Sequence, residues 1–153
     1  FMNSDTIGTN FTVSEMTGGV GSVTVSTDGS VTPSPSPTPS PTPSPTTYTV
    51  TVASYLGSNY FYIDGARTPT LSLTEGQTYK FDQSSGTNSN HPLRISTTSN
   101  GTHAGGSEYT TGVTTSGTPG SSGAYTQIEV ASGAPTLYYY CSNHSGMGGQ
   151  LNT

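Results

Sequence analysis

Apolar and polar residues alternate along several short stretches of the chain, most clearly beyond residue 47. The clearest stretches are YTVTVAS (48–54), NYFYIDG (59–65), TLSLTEGQTYKFDQ (70–83), HPLRIST (91–97), YTQIEVAS (125–132) and TLYYYCS (136–142). A period of two residues is typical of half-buried β-strands, and the Gly, Asn and Asp residues between the stretches favour turns. Residues 70–83 read as two strands about a Glu-Gly turn. No helical period of useful length is present, so the pattern predicts an all-β sandwich over residues 48–153.

Residues 98–124 break the alternation with a long stretch rich in Gly, Ser and Thr. We interpret it as a loop with a short strand at EYTTGV. Because structureless connections of this length are uncommon in compact domains, part of it is expected to be ordered or functional. Loops on rigid sandwiches often carry binding, so a surface or glycan adhesion module is one functional alternative.

Two further segments precede the predicted sandwich. Residues 1–31 contain NFTVSE and GSVTVSTDGSV, which predict a β-hairpin that is marginal in isolation and would pair with copies of itself or with other structural subunits. In residues 32–47, proline occupies every second position from Pro33 to Pro45. Each proline fixes φ and favours an extended predecessor, which predicts a semi-rigid polyproline II linker of roughly 40 Å.

Composition narrows the functional classes. Hydrophobic residues make up 28% of the 153 residues, tryptophan is absent, and charged residues make up 7%. The net charge is −5 and there are three basic residues, so no basic patch for nucleic acid can be assembled. No apolar stretch approaches the length of a membrane span, and no signal peptide is recognisable at the start.

The single cysteine lies in LYYYCSNHSGMGG (137–149), three residues before a histidine that is itself three residues before a methionine. A strand that ends in Cys-x-x-His-x-x-Met places a thiolate, an imidazole and a thioether on one short loop. Thiolate and imidazole form the strong bonds of a copper site, and a thioether supplies the weak axial bond. His91, which begins a strand after a polar turn, is the candidate for the second imidazole. The predicted metal ligands are His91, Cys141, His144 and Met147, and the predicted cofactor is copper.

Other interpretations of these residues stay open. Cys141 is alternatively a buried free cysteine, or part of a zinc site with two histidines. A Cys141 nucleophile with His144 as its base is conceivable, but neither an orienting third group nor an oxyanion hole can be named. No Ser-His-Asp pattern, phosphate loop or carboxylate pair stands out, so we do not expect an enzyme. His103, in NGTHAGGS, is expected to be a solvated loop residue.

YYYCSNHSGMGG resembles the C-terminal ligand loop of the cupredoxins, the group that includes plastocyanin, pseudoazurin and amicyanin. The Cys-x-x-His-x-x-Met spacing is similar to the short amicyanin loop, and a histidine about fifty residues upstream also fits. The resemblance covers roughly residues 48–153. It implies a Greek-key β-sandwich with a mononuclear copper site at one end, and a blue-copper electron-transfer protein is the function that this ligand set would imply.

A second resemblance covers most of residues 59–147. FYIDGARTPTLSLTEGQTYKFDQSSGTNSNHPLRI and YTTGVTTSGTPGSSGAYTQIEV are similar to cupredoxin-like modules in virion structural proteins of marine bacteriophages, especially cyanophages. This implies a non-enzymatic structural or display protein on a virion or extracellular appendage, with a host surface or glycan as a possible target. A periplasmic or secreted location is the alternative that accompanies electron transfer.

Overall fold

The computed structural model describes residues 24–25, 31–32 and 43–153. The chain divides into two units, Phe1–Pro41 and Thr42–Thr153. In the first unit, strand β1 (Thr24–Val25) pairs antiparallel with β2 (Val31–Thr32). The predicted strand NFTVSE and the greater part of the predicted proline-rich linker lie outside the described residues.

The described part of the second unit is nearly all β. Its strands are β3 (Thr46–Tyr55), β4 (Ser58–Ile63), β5 (Ala66–Arg67), β6 (Leu71–Ser72), β7 (Thr78–Asp82), β8 (Leu93–Ser96), β9 (Val113–Ser116), β10 (Tyr125–Glu129), β11 (Leu137–Cys141) and β12 (Gly149–Asn152). Two short 3-10 helices, Gly86–Asn88 and Gly101–Ala104, interrupt the loops. None of the helices described is long and apolar enough to cross a membrane.

The strands form two mixed sheets. One sheet has the order β5-β4-β3-β7-β10-β9, and the other has the order β6-β12-β11-β8. Strand β3 pairs in parallel with β7 through its first residues and antiparallel with β4 through its last six, and β12 pairs in parallel with β6. The remaining pairs in these sheets are antiparallel. The two sheets make a sandwich, which confirms the predicted all-β fold class.

Strand boundaries differ from the predictions in a few places. The first strand of the sandwich begins at Thr46, inside the range predicted as linker. The strand expected at EYTTGV is displaced to Val113–Ser116, while Glu108 makes only an isolated bridge to Ser96. The two strands of residues 70–83 belong to different sheets, so the Glu-Gly turn is a crossover between layers. Strand β12, just after the predicted ligand loop, was not predicted.

The core lies between the two sheets and includes one face of β11. Leu137, Tyr139 and Cys141 are buried in it, as alternation along a strand requires. The Tyr139 ring lies 6.4 Å from that of Phe81 and 6.5 Å from that of Phe61, centroid to centroid, so it contacts residues of the opposite sheet. Cys141 therefore sits at the end of the most buried strand, with its side chain directed into the sandwich.

Tyr140 faces away from that core yet is also buried, because another segment covers it. A Cβ atom placed on Gly101 would lie 2.5 Å from the Tyr140 ring, so only glycine allows the loop to approach so closely. The imidazole of His103 meets the same ring edge-on at a centroid distance of 6.3 Å. The loop of residues 98–106 thus packs on the outer face of β11, next to Cys141.

Candidate metal centre

Three of the four predicted ligands converge at one end of the sandwich. The Cys141 Sγ atom lies 3.6 Å from Nδ1 of His144 and 3.9 Å from Nδ1 of His91. The two imidazole rings are 4.6 Å apart, centroid to centroid, at an interplanar angle of 44°. The potential ligand atoms of all three residues lie within 4.8 Å of one another. A residue fifty positions upstream thus meets the Cys-x-x-His loop, and the three side chains together could hold a metal ion.

The separations would allow one metal ion to bond to all three atoms, because bonds of about 2.0 Å to nitrogen and about 2.3 Å to sulfur can span them. The three residues differ in exposure: Cys141 is buried, His91 is half-buried and His144 is exposed.

His91 is held from the inside of the sandwich by a buried glutamine. The Gln83 Nε2 atom donates to the carbonyl of His91 at 2.8 Å, and its Oε1 atom accepts from the N–H of Leu93 at 3.0 Å. On the other side, the N–H of His91 donates to the carbonyl of Asn88 at 2.8 Å. Gln83 is 1% exposed, so these hydrogen bonds are shielded from water and fix the backbone on both sides of Pro92.

The loop after Cys141 is tied to the residues that flank His91. The N–H of Ser142 donates to the carbonyl of Pro92 at 3.0 Å. Asn143 donates through Nδ2 to the carbonyl and the side-chain oxygen of Asn90, at 3.1 and 2.9 Å. The backbone therefore sets the distance between the two ligand segments independently of any ion, which is the arrangement expected of a preorganised site.

Met147, the fourth predicted ligand, lies at the same end of the sandwich. Its side chain is buried in the core cluster that includes Cys141. Its carbonyl accepts from the N–H of Phe61 at 3.0 Å, which fixes the loop to the opposite sheet. Met147 also borders, together with His144, a surface cleft beside the centre.

Burial shifts the pKa values of Cys141 and His91 in opposite directions. Desolvation raises the pKa of the Cys141 thiol, although N–H groups of Asn143 and His144 and the charge of Arg94 act in the opposite direction. Desolvation, followed by the neighbouring His144, lowers the pKa of His91. The net effect of burial is to disfavour the free thiolate. A neutral imidazole has one ring nitrogen able to bind a metal, and Nδ1 of His91 is the nitrogen that faces Cys141.

His103 corrects one sequence interpretation. Its side chain is exposed, as predicted, but its Nε2 atom lies 2.9 Å from the carbonyl oxygen of Cys141 and donates a hydrogen bond to it. Asn100, three residues earlier, accepts from the N–H of Gly146 at 2.8 Å. Residues 98–106 therefore hold the ligand loop at both ends. Sequence analysis missed this because nothing local in NGTHAGGS indicates a partner 38 residues away.

No family model and no curated protein matches the chain. The case for the site therefore rests on the geometry and chemistry of its own residues.

Proposed function

We propose that the chain is a non-enzymatic structural or display protein whose second unit is a cupredoxin-like, Greek-key domain that binds one copper ion. His91, Cys141 and His144 would supply the equatorial ligands, and Met147 the weak axial ligand. The observation that carries the proposal is the convergence of two Nδ1 atoms on Sγ of the single cysteine, at 3.6 and 3.9 Å.

The donor set favours copper over zinc. One thiolate and two imidazoles, with a weak thioether ligand, are the donor set of blue-copper sites. Structural zinc sites instead have four firm ligands, with more thiolates, and a thioether is not one of them. The divalent affinity order also favours Cu²⁺ over Zn²⁺ at a given site.

The chain's own residues prepare the site. Gln83 fixes the backbone around His91, and Asn143 ties the ligand loop to Asn90. Burial shields Cys141 from water. A bound copper ion would join His91, two residues before β8, to Cys141 at the end of β11, fifty residues further along the chain. The ion would thereby stabilise the domain, since it binds the folded state and not the dispersed ligands of the unfolded chain.

The copper proposal is tested by adding Cu²⁺ to the purified protein and recording the visible spectrum. We expect one equivalent to produce an intense thiolate-to-copper charge-transfer band. Cys141→Ser should abolish that band while the far-ultraviolet circular dichroism stays unchanged. Ser142→Ala, at the next and only half-buried position, is the matched control and should retain it. A wild-type protein without such a band would contradict the proposal.

The display role is supported by the sequence rather than by the metal centre. Alternating proline between Pro33 and Pro45 favours an extended spacer, and the strand pair β1–β2 is too small to be stable in isolation. We expect the full chain to form oligomers in sedimentation experiments, and a variant lacking residues 1–31 to be monomeric. A full chain that stays monomeric would instead favour the electron carrier described next.

The alternative is a blue-copper electron carrier, which the same ligand set favours. It requires that copper cycle between two oxidation states without leaving the site. Reversible voltammetry of the copper-loaded protein, together with a monomeric full chain, would support it. Irreversible loss of copper on reduction would exclude it.

A further inference from the structure

A surface cleft of about 580 Å³ lies beside the metal centre. Its walls come from residues 58–60 at the β3–β4 hairpin, from His103, and from residues 143–147 of the ligand loop. Its volume lies within the range of about 300–1,000 Å³ typical of small-molecule sites. The metal proposal uses His144 and Met147 as ligands, and His103 and other residues of the ligand loop as supports. It leaves Ser58, Asn59, Tyr60 and Ser145 without a role.

The chemistry of the walls restricts what can bind. The lining side chains are hydroxyls, carboxamides and imidazoles with one buried thioether, and none is Asp, Glu, Lys or Arg. A cation would find no carboxylate there, and a strongly charged anion would find no lysine or arginine. Hydroxyl and amide groups both donate and accept hydrogen bonds, as the hydroxyls of a sugar do. Tyr60 adds a ring with an apolar body and a polar tip.

Several of these groups are free to bind a ligand. Within residues 43–153, the side chains of Ser58, Asn59, Tyr60 and Ser145 make no hydrogen bond to the protein, in contrast to Asn143, which is held by Asn90. They come from two separate chain segments that both line the cleft. A ligand with several hydroxyls can bridge them, whereas a single small solute contacts only one wall.

The cleft is also built on fixed supports. The Arg67 guanidinium lies 3.7 Å from the Tyr55 ring centroid and 5.4 Å from that of Tyr60, which braces the hairpin wall. The opposite wall is held by the hydrogen bond from Gly146 to Asn100. A preformed cleft lowers the entropic cost of binding, because little of the protein has to be ordered.

We propose that this cleft binds a short, uncharged saccharide. The inference goes beyond the metal centre and needs no metal, although His144 borders both. It differs from adhesion through residues 98–124 alone, because only His103 of that loop lines the cleft.

The test uses the full chain, labelled with ¹⁵N, and a panel of neutral trisaccharides of glucose, galactose, mannose and N-acetylglucosamine, with sialylated and sulfated sugars as charged counterparts. We expect at least one neutral sugar to shift the amide signals of Asn59, Tyr60 and Ser145. The double variant Asn59→Ala/Ser145→Ala should weaken its binding about tenfold, since each substitution removes one or two hydrogen bonds. The control is the double variant Ser72→Ala/Asn152→Ala. These two exposed residues are partners on the neighbouring strands β6 and β12, outside the cleft, and the variant should bind as the wild type does.

Absence of shifts with every neutral sugar, binding of charged sugars alone, or equal affinity in the Asn59/Ser145 variant would each overturn the inference. The Cys141→Ser protein separates this question from the copper proposal. If it binds sugar normally while losing copper, the two sites are independent, as we expect. Copper binding without sugar binding would refute the cleft alone, and sugar binding without copper binding would refute the metal proposal alone.

Discussion

At the scale of single residues, His103 links the outer loop to the metal centre. It donates a hydrogen bond to the Cys141 carbonyl at 2.9 Å and its ring packs edge-on against Tyr140. Hydrogen bonds to ligand residues orient the ligands and tune the metal, and their loss typically costs about 10–100-fold in metal affinity. His103 is therefore expected to be a positioning residue, although it does not belong to the cluster of His91, Cys141 and His144.

Two substitutions separate the hydrogen bond of His103 from its packing. His103→Phe keeps a ring against Tyr140 but removes the donor, so we expect copper affinity to fall about tenfold or more and the charge-transfer band to shift. His103→Gln keeps an N–H donor and should recover most of the affinity and the band position. Competition with a chromophoric chelator measures the affinity. Equal values for all three proteins would mean that the hydrogen bond has no influence on the centre.

Tyr139 is the buried phenol at the centre of β11. Its hydroxyl donates to the carbonyl of Pro69 at 2.8 Å, and burial raises its pKa far above that of an exposed tyrosine. Because its pKa is higher in the folded state, its contribution to stability is complete below about pH 10, the unfolded value. It is lost as the pH rises from there towards the folded pKa.

Tyr139→Phe should therefore lower the free energy of unfolding at neutral pH by about 1 kcal/mol, the typical value of a lost hydrogen bond. It should also reduce the fall in stability above about pH 10, since the phenylalanine ring has no proton to lose. Urea unfolding at neutral and alkaline pH measures both effects. Tyr62→Phe, on the half-buried outer face of β4, is the control and should change neither value appreciably. An unchanged alkaline fall in the Tyr139→Phe variant would show that other groups dominate it.

At the scale of elements, the ligand loop depends on how closely β12 returns to β11. A Cβ atom on Gly148 would overlap the carbonyl oxygen of Tyr139, a backbone atom that cannot move aside alone. A Cβ atom added to the second glycine, Gly149, would lie 2.5 Å from the Tyr139 hydroxyl. The two glycines that end the motif are thus required by the hairpin, and they set where Met147 and His144 lie.

We expect Gly148→Ala to destabilise the protein by about 2 kcal/mol or more, within the range of overpacking in a filled site, and to weaken copper binding by displacing the loop. Gly86→Ala is the control, because a Cβ there would have no neighbour within 4 Å and Gly86 does not have a positive φ. Chemical denaturation and copper titration of both variants measure the effects. A Gly148 variant as stable as the Gly86 variant would contradict the close approach of β12.

The sequence predicted elements well where the signal was local. Alternation located most strands, and Cys-x-x-His-x-x-Met brought Cys141 and His144 together within one loop. The sequence did not predict which strands pair over long range, because a two-residue alternation indicates a strand but not the strand that it pairs with. For this reason the sequence did not predict the parallel pairs β3–β7 and β6–β12. It also did not predict β12, which begins at a glycine. His91 was chosen for its place at the start of a strand, whereas its supports at Gln83 and Asn88 belong to other elements and were not foreseen.

At the scale of the whole molecule, copper binding should be coupled to stability and to protons. An ion that binds the folded state at a free concentration 100 times its dissociation constant contributes about 2.7 kcal/mol. In a domain of this size, that corresponds to a rise in Tm on the order of 10 °C. Differential scanning calorimetry with and without copper measures the rise, and the Cys141→Ser protein should show much less of it. A wild-type Tm indifferent to copper would mean that the ion does not cross-link the two ligand segments.

The pH dependence of that affinity follows from the two opposite pKa shifts in the cluster. The raised pKa of Cys141 means that the thiol is protonated near neutral pH and must lose its proton to bind copper. The lowered pKa of His91 means that this imidazole is already neutral there and releases none. Between about pH 7 and pH 8, copper affinity should therefore rise about tenfold per pH unit, the slope of one released proton.

Chelator competition at several pH values, corrected for the chelator's own protonation, measures the slope. A slope near zero would show that Cys141 is already ionised or is not a ligand, and a slope near two would show that an imidazole also loses a proton. Cys141→Ser provides the internal comparison, because its residual copper binding through the histidines should lose the thiol-linked rise. The direction of the dependence, tighter binding at higher pH, follows from the proton that the thiol must lose. Burial of the cysteine at the end of β11 raises its pKa and so extends the dependence to higher pH.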